Sequence, residues 1–339
     1  MSMLNSIQIW SENLLGFFVV PVMAVHLIAV NLACAGPLLA SWLHFRSRES
    51  ETLARLGRSL AWASLIGLGL GMLTGGVLLF VPPATGLQEA IRRIPAQAYW
   101  MAGTELIFSA VCMLICAGCW KPLQRWRWLH ASISLLGATN LLYHFPPLMA
   151  VLGKLAADPT WSTEPMIDRP LFLGLMYRGE IVSLATHFGL ASFVVAAVVL
   201  LVMIARAGEE DRDLAVQSIA RKSAIIALVG SLLQVPVGVW ILGALSNAER
   251  EVLMGGELLA SLVFLGGMLL TFLLLQRLAA IALGEFDLQA MRQTGWLLLV
   301  LVLLMTATLR SSRQAGDSKR TAAEARPPRL ISVQVSKCC

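Results

Sequence analysis

The sequence predicts an all-α membrane protein, a polytopic helix bundle of about eight transmembrane helices with its N-terminus outside. The chain of 339 residues is 57% hydrophobic and only 14% charged, whereas soluble domains are about 45–50% apolar and about 25% charged. Its apolar residues are concentrated in runs of roughly 20, the length that crosses the hydrocarbon core of a bilayer. Lys and Arg are more frequent in the loops that an outside N-terminus places inside, as the positive-inside rule requires.

Eight apolar runs define the predicted spans. Their approximate bounds are 14–42, 59–82, 99–119, 128–152, 180–206, 221–246, 253–282 and 294–310. The second span is rich in glycine between Gly67 and Gly76, which favours close helix contact, and Pro236 predicts a kink in the sixth. Residues 1–310 therefore form one transmembrane bundle, and residues 311–339 are predicted to be a basic, disordered tail. With eight spans and an outside N-terminus, this tail also lies outside, although its basic residues favour the inside by the positive-inside rule.

Composition excludes several classes of function. The net charge of +6 comes from basic residues in short loops and in the tail, so nucleic acid is not a predicted partner, whereas membrane lipid is. The N-terminus has no basic region before its apolar run, so a cleaved signal peptide is not predicted. None of the six cysteines belongs to a Cys-x-x-Cys-His motif, and covalent attachment of haem is therefore not encoded.

Ionisable residues gather at one depth of the predicted bundle, in the outer half of the membrane. They are His26, Glu105, His144, Glu180, His187 and Glu257. Each such group costs roughly 2.5–3.5 kcal/mol or more inside a bilayer, so the layer predicts a functional site. By contrast, His44 and His130 fall at the inner ends of spans, where contact with water is the simplest explanation.

Three explanations of this polar layer remain open from the residues alone. Imidazoles between helices ligate haem iron, with Met, His or a carboxylate on the facing helix. The same residue types at one depth also form the ion or proton pathway of a transporter. The third explanation is structural, with polar groups satisfied by neighbouring helices. His187 lies about two turns inside the fifth span, behind Arg178 and Glu180, and is the strongest candidate for a haem ligand.

Six short motifs follow one another along residues 10–245. They are His26 in the first span, Gly69-Leu-Gly-Met-Leu-Thr-Gly75 in the second, Glu105-Leu-Ile-Phe-Ser109 with Trp120 in the third, Leu136-Gly-Ala-Thr-Asn-Leu141 in the fourth, His187 in the fifth and Ala220-Arg-Lys-Ser-Ala-Ile-Ile226 at the start of the sixth. In type and spacing these motifs resemble subunit I of the cytochrome bd-type ubiquinol oxidases. The resemblance is one of pattern rather than of overall identity.

The resemblance implies a membrane haem protein that transfers electrons in a respiratory chain of the bacterial inner membrane, as an oxidoreductase or an electron-transfer subunit. It implies one or two haem b groups, or a modified haem. His187 would ligate a low-spin haem b with Met254 or His144 opposite, and His26 would ligate a second haem. Glu105 would be the catalytic residue, as a proton carrier or weak ligand. The implied partners are a quinol or a c-type cytochrome and a second membrane subunit.

The chain departs from the family in four places. Gln97 falls near the position of a second family glutamate, and only residues 246–252 separate the sixth and seventh spans, where the family has a long quinol-binding loop. The family's Gly-Arg-x-Pro-Trp motif and its Met ligand preceded by Arg have no counterpart here. These departures argue against the usual quinol route and a three-haem oxygen site. The alternatives are an ion or proton transporter and a haem-less scaffold subunit of a respiratory complex.

Overall fold

A computed structural model of the chain describes residues 3–80, 85–207 and 213–324, with side chains from Phe18 to Ser312 outside the two gaps. Within these ranges all regular structure is helical. Eight of the described helices are long and apolar enough to cross a membrane. The predicted all-α bundle of about eight transmembrane helices is therefore confirmed, and the chain is a multi-pass membrane protein.

The eight long helices alternate in direction through the bundle. They are α1 (Met3–Arg46), α2 (Glu51–Phe80), α4 (Ala96–Gly118), α5 (Arg127–Ala157), α7 (Gly179–Ala207), α8 (Leu214–Ala244), α10 (Leu258–Leu283) and α11 (Leu288–Glu324). Three short helices join them, namely α3 (Thr85–Arg92), α6 (Arg169–Met176) and α9 (Asn247–Glu251). We call the end of the bundle at which α1 begins the N-face, and the end at which α1 finishes the C-face. All three short helices follow spans that end at the N-face.

The first helix is central to the packing, since α1 lies against α2, α5, α7 and α11. The main apolar core occupies the half of the bundle nearer the C-face, where Leu43, Leu60, Leu201 and Leu278 are fully buried. A second, smaller core lies at the N-face. It joins the short helices α3 and α6 to α5 and α7 through residues Ala90, Val151, Leu152, Leu155, Leu175 and Ile181. The N-face is therefore capped by protein.

Glycines of α2 allow its close approach to α1, as the sequence predicted. A Cβ placed on Gly67 would lie 2.9 Å from the carbonyl oxygen of Ala29. A Cβ on Gly71 would lie 2.6 Å from Cγ1 of Val30. Close backbone contact through small residues is the usual way in which membrane helices gain packing energy.

We expect Gly67→Val to destabilise the bundle by about 1–3 kcal/mol, the usual cost of overpacking a close contact. The obstacle is the backbone carbonyl of Ala29, which cannot rotate away as a side chain can. Gly69→Val is the matched control, because a Cβ at Gly69 meets nothing within 4 Å. The free energy of unfolding of each variant is measured in mixed detergent micelles. Equal destabilisation by the two variants would contradict the close contact between Gly67 and the carbonyl of Ala29.

The structure differs from the predicted boundaries around the seventh span. α10 begins at Leu258, so Glu257 and Met254 precede the helix instead of lying in its first turn. Residues Val252–Gly256 form a π-helical turn in which Gly255 has a φ of 115°, a conformation that interrupts a helix and favours glycine. The apolar run continued across this break, which is why hydropathy alone placed the span too early.

The helices α5 and α11 also extend beyond their predicted ends. α5 reaches Ala157, five residues past the predicted end at 152, and His144 therefore lies near the middle of its helix rather than at its outer end. α11 continues to Glu324, past the predicted start of the tail at residue 311. This part of α11 contains several strong helix formers, namely Ala, Arg, Gln, Lys and Glu. The rest of the predicted tail, 325–339, lies outside the described residues.

Candidate functional site

His26 lies on α1 against the glycine-rich part of α2. Its Nδ1 is 3.0 Å from the carbonyl oxygen of Gly71 and 3.2 Å from Oγ1 of Thr74. A carbonyl oxygen only accepts hydrogen bonds, so Nδ1 carries the proton and donates it, and Nε2 keeps its lone pair. Among the described residues no hydrogen bond reaches this Nε2. A Cβ on Gly75 would lie 3.0 Å from Cε1 of His26, so glycine at this position leaves room for the ring.

His187 lies on α7 at its contact with α8. Its backbone carbonyl accepts a hydrogen bond from Nε2 of Gln234 at 3.3 Å. Val194 lies two turns further along the same face of α7. A Cβ added to Gly230 of α8 would lie 2.8 Å from Cγ2 of Val194, so this face of α7 packs against α8. The Nδ1 atom of His187 is buried and has no partner among the described residues. Leaving such an atom unpaired costs about 1–3 kcal/mol, and a buried unpaired group of this kind requires an explanation such as a bound ligand.

A buried hydrogen bond sets the relative level of these two histidines. Ser192 of α7 donates to Oδ1 of Asn31 of α1 at 2.8 Å. His26 precedes Asn31 by five residues, and His187 precedes Ser192 by five residues. Since α1 and α7 both run from the N-face to the C-face, the two histidines lie at one level, about 7.5 Å along the helix axis from the hydrogen bond.

The two imidazoles nevertheless occupy different grooves of the bundle. Five residues turn a helix by about 140°, so side chains five positions before the Asn31–Ser192 contact point away from it. His26 accordingly faces α2, where it meets Gly71, and His187 lies on the side of α7 that packs against α8. The arrangement gives two separate sites at one depth instead of one shared site.

Glu105 and His144 form a third polar region, between α4 and α5. Asn140 donates from Nδ2 to the carbonyl oxygen of Glu105 at 2.9 Å and to Oγ of Ser109 at 3.0 Å. Glu105 is one turn from Ser109 and His144 is one turn from Asn140, both toward the N-face. These two residues therefore lie at one level on the facing sides of α4 and α5. No ion pair joins them among the described side chains.

A shallow cleft opens beside this third region. Its volume is about 370 Å³, and it is lined by Phe108, Leu136, Thr139, Asn140, Tyr143 and His144. The ring of Tyr143 stands edge-on to that of His144 at a centroid distance of 5.0 Å. The sequence placed His144 at the correct helix but did not predict the cleft, because a cleft depends on which faces of α4 and α5 meet.

The structure does not bring Met254 to His187. Met254 is 70% exposed, and its π-helical turn packs mainly against α9, α10 and α11, whereas α7 packs mainly against α1, α5, α8 and α11. His144 lies on α5, a neighbour of α7, but no hydrogen bond or ring contact joins His144 to His187 among the described residues. Neither of the two predicted opposite ligands is therefore in contact with His187.

Glu180, a further member of the predicted polar layer, belongs to the N-face cap. Its Oε1 accepts a hydrogen bond from Nε1 of Trp161 at 2.9 Å, and the guanidinium of Arg178 lies 4.7 Å from the centre of the Trp161 ring. These contacts give Glu180 a structural partner outside the grooves that contain His26 and His187.

The burial of two histidines near the C-face was not predicted from the sequence. His44 and His130 are fully buried, at 0% exposure, so the interpretation that water surrounds them is wrong. Their rings stack at a centroid distance of 4.1 Å, beside Trp120. No sequence signal indicated that the end of α1 and the start of α5 meet, because these residues are far apart in the chain.

No protein-family model and no curated protein matches the chain. Among the described residues, no group of three or more His, Cys, Asp or Glu side chains is placed to hold a metal ion by itself. Haem iron makes a smaller demand on the protein, because the porphyrin supplies four of its ligands and the protein only one or two. Among the described residues, Nε2 of His26 and Nδ1 of His187 are ring nitrogens without a hydrogen-bond partner.

Proposed function

We propose that the chain is a cytochrome bd-like membrane haem protein that transfers electrons in a respiratory chain. The observation that supports the proposal most strongly is the hydrogen bonding of the His26 ring. Its Nδ1–H donates to the carbonyl of Gly71, so Nε2 presents a lone pair, and glycine at position 75 leaves the ring its space. A histidine ligand usually donates its second ring N–H to a carbonyl or carboxylate in this way, which fixes the tautomer and the ring orientation.

His187 supports a second site of the same kind. Its Nδ1 is buried without a partner among the described residues, which leaves this nitrogen available to a bound group. We assign His26 and His187 to separate haem b groups, or to a modified haem at one of them. A bound haem supplies a one-electron redox centre whose potential depends on its axial ligands. Met254 is not adopted as an axial ligand, because it is exposed and packs away from α7.

The separation of the histidines favours this function over an ion or proton transporter. A relay needs titratable groups that hand an ion from one to the next along a path. His26, His187 and His144 instead lie in three grooves, between α1 and α2, α7 and α8, and α4 and α5. No hydrogen bond joins any two of them among the described side chains.

Glu105 is the proposed catalytic residue. Asn140 holds its backbone carbonyl and Ser109 beside it, which fixes the α4 surface that carries the carboxyl group. A carboxyl group at this depth of the membrane is costly, and it marks a functional site by default. We assign it the role of proton carrier, coupled to electron transfer in the neighbouring grooves.

The partners and the location follow from the resemblance to the bd family. We propose the bacterial inner membrane, a quinol or a c-type cytochrome as redox partner, and a second membrane subunit. The short N-face connection at α9 and the π-helical turn leaves no long quinol-binding loop between α8 and α10. A quinol would therefore bind elsewhere than in such a loop.

The bound pigment tests the proposal directly. Protein purified from cells that make haem should be red and show a Soret band, and protein from haem-deficient cells of the same strain should not. A transporter or a haem-less scaffold would be colourless in both preparations. A colourless protein from haem-replete cells would therefore contradict the proposed function.

We expect Glu105→Gln to slow turnover about 10²–10⁴-fold, the usual contribution of a positioned acid or base, with the haem content unchanged. Turnover is measured as oxidation of the reduced protein by its acceptor, together with the visible spectrum. Glu89→Gln is the control, because Glu89 is exposed on the short helix α3. Loss of haem from Glu105→Gln would show that Glu105 is a ligand instead.

A further inference from the structure

Three aromatic rings form a sealed cluster near the C-face. His44 from α1, His130 from α5 and Trp120 from the connection after α4 are at most 2% exposed. The two imidazoles are nearly parallel, with an interplanar angle of 19° and a centroid distance of 4.1 Å. Trp120 stands edge-on to both, at 4.6 Å from His44 and 5.2 Å from His130. The cluster thus joins the C-face ends of three spanning helices.

Hydrogen bonds determine where the protons of both histidines lie. Nε2 of His44 is 3.2 Å from the carbonyl oxygen of Trp120, and Nε2 of His130 is 3.3 Å from the carbonyl oxygen of Cys116. Because carbonyl oxygens only accept, each Nε2 carries the proton and each Nδ1 holds a lone pair. Both Nδ1 atoms are buried without a partner among the described residues.

A proton can therefore be added to either ring only at Nδ1, and nothing in the cluster stabilises it there. An imidazolium at this point would have no hydrogen-bond acceptor for the proton on its Nδ1 among the described residues. A buried charge without a partner is among the most destabilising features of a protein interior.

The charged and titratable groups around the pair offer no compensation. From α5, Arg127 donates to the carbonyl of Phe45 and adds positive charge beside the cluster. From α1, Arg46 is paired with Glu49. The ionisable groups at the end of α4 and in its connection to α5 are Cys116, Cys119, Lys121 and Arg125, and those in the first turns of α2 are Glu51, Arg55 and Arg58. No hydrogen bond or ion pair joins a carboxylate to either histidine among the described residues.

We propose that His44 and His130 form an acid-sensitive latch, which holds the C-face ends of α1, α4 and α5 together while both rings are neutral. A proton from the aqueous phase at the C-face adds to Nδ1 of one ring, the stack separates, and α5 moves away from α4 at this end. The closed state is favoured at neutral pH, because only the separated rings bind the proton readily. Acid therefore shifts the equilibrium toward the open state as the pH falls below about 6.5, the ordinary value for an imidazole exposed to water.

Cys116 reports the opening of the latch. It is only 3% exposed, and its sulfur contacts Oγ of Ser134 on α5 at 3.2 Å, so separation of α4 from α5 uncovers it. Cys34 is the control, since it is similarly buried, at 4% exposure, but lies ten residues before His44 on α1, about 15 Å nearer the N-face.

The experiment measures the labelling rate of one cysteine at a time in full-length protein in nanodiscs. Two variants each keep one cysteine, Cys116 or Cys34, with the others replaced by alanine. The reagent is a dipyridyl disulfide, which stays reactive toward thiols in acid. Between about pH 7.5 and about pH 5.5, labelling of Cys116 should rise about tenfold, and at most about 100-fold for one proton over two pH units. The labelling rate of Cys34 should stay within about twofold.

Variants of His44 and His130 distinguish opening of the latch from a general effect of low pH on the protein. In the Cys116-only background, the double variant His44→Phe/His130→Phe keeps both aromatic rings but removes both sites of protonation, so the pH dependence of Cys116 labelling should disappear. His144→Phe, at the cleft between α4 and α5, should keep the full rise. A flat Cys116 profile in the unmodified pair, an equal rise at Cys34, or an unchanged rise in the double phenylalanine variant would each overturn the latch.

Discussion

His187→Ala is expected to remove the low-spin haem b signal while the haem held by His26 remains. The two histidines lie in separate grooves, one between α7 and α8 and the other between α1 and α2, so loss of one ligand leaves the other site intact. The reduced-minus-oxidised visible spectrum and electron paramagnetic resonance of the oxidised protein measure the two signals independently. The low-spin signal should fall to less than about a tenth of the wild-type value.

The reciprocal variant completes this test. His26→Ala should keep the low-spin signal and lose the other haem. Thr186→Ala is the control for the substitution on α7, because Thr186 is exposed and directly precedes His187. Equal loss of both signals from either histidine variant would contradict the two-site assignment and would indicate one haem held between the two residues.

Gly75→Val is expected to weaken haem binding at His26 by about 10–100-fold, the usual cost of losing the contacts that orient a ligand. Even a Cβ at this position would lie 3.0 Å from Cε1 of His26 and 3.4 Å from its Nδ1. The ring must then shift, which breaks the hydrogen bond from Nδ1 to Gly71. Titration of the purified protein with haem, followed by the Soret band, measures the affinity.

The adjacent residue offers a close control for this variant. Gly76→Val makes the same substitution in the same helix, and a Cβ at Gly76 meets nothing within 4 Å. It should bind haem as the wild type does, and the His187 signal should persist in both variants. If Gly75→Val retained normal affinity, the ring of His26 would not depend on the space at Gly75, and its role as an oriented ligand would be contradicted.

The sequence was sufficient to predict the eight spans because each is a long apolar run, and long runs are the most reliable feature of a membrane sequence. The ends of the spans were harder to place. Gly255 interrupts the seventh run by its backbone conformation, which hydropathy does not record. The extension of α11 to Glu324 comes from helix propensity after the apolar residues have ended.

The depth of the histidines in the membrane could also be predicted from the sequence, whereas the helix that each side chain faces could not. His26 and His187 were predicted at similar depth, and the Asn31–Ser192 hydrogen bond gives them one level. Their separation into two grooves depends on which faces of α1 and α7 meet. The stacked pair of His44 and His130 was missed for the same reason, since its burial depends on the contact between the ends of α1 and α5.

The most direct measurement is the number of haem groups per chain, from a pyridine haemochrome assay on the purified protein with its reduced-minus-oxidised spectrum. The proposed sites predict one or two b-type haem groups per chain in the wild type and none in the double variant His26→Ala/His187→Ala. A wild-type protein without haem after expression with ample haem supply, or a double variant that retains the full wild-type content, would contradict the assignment of these histidines.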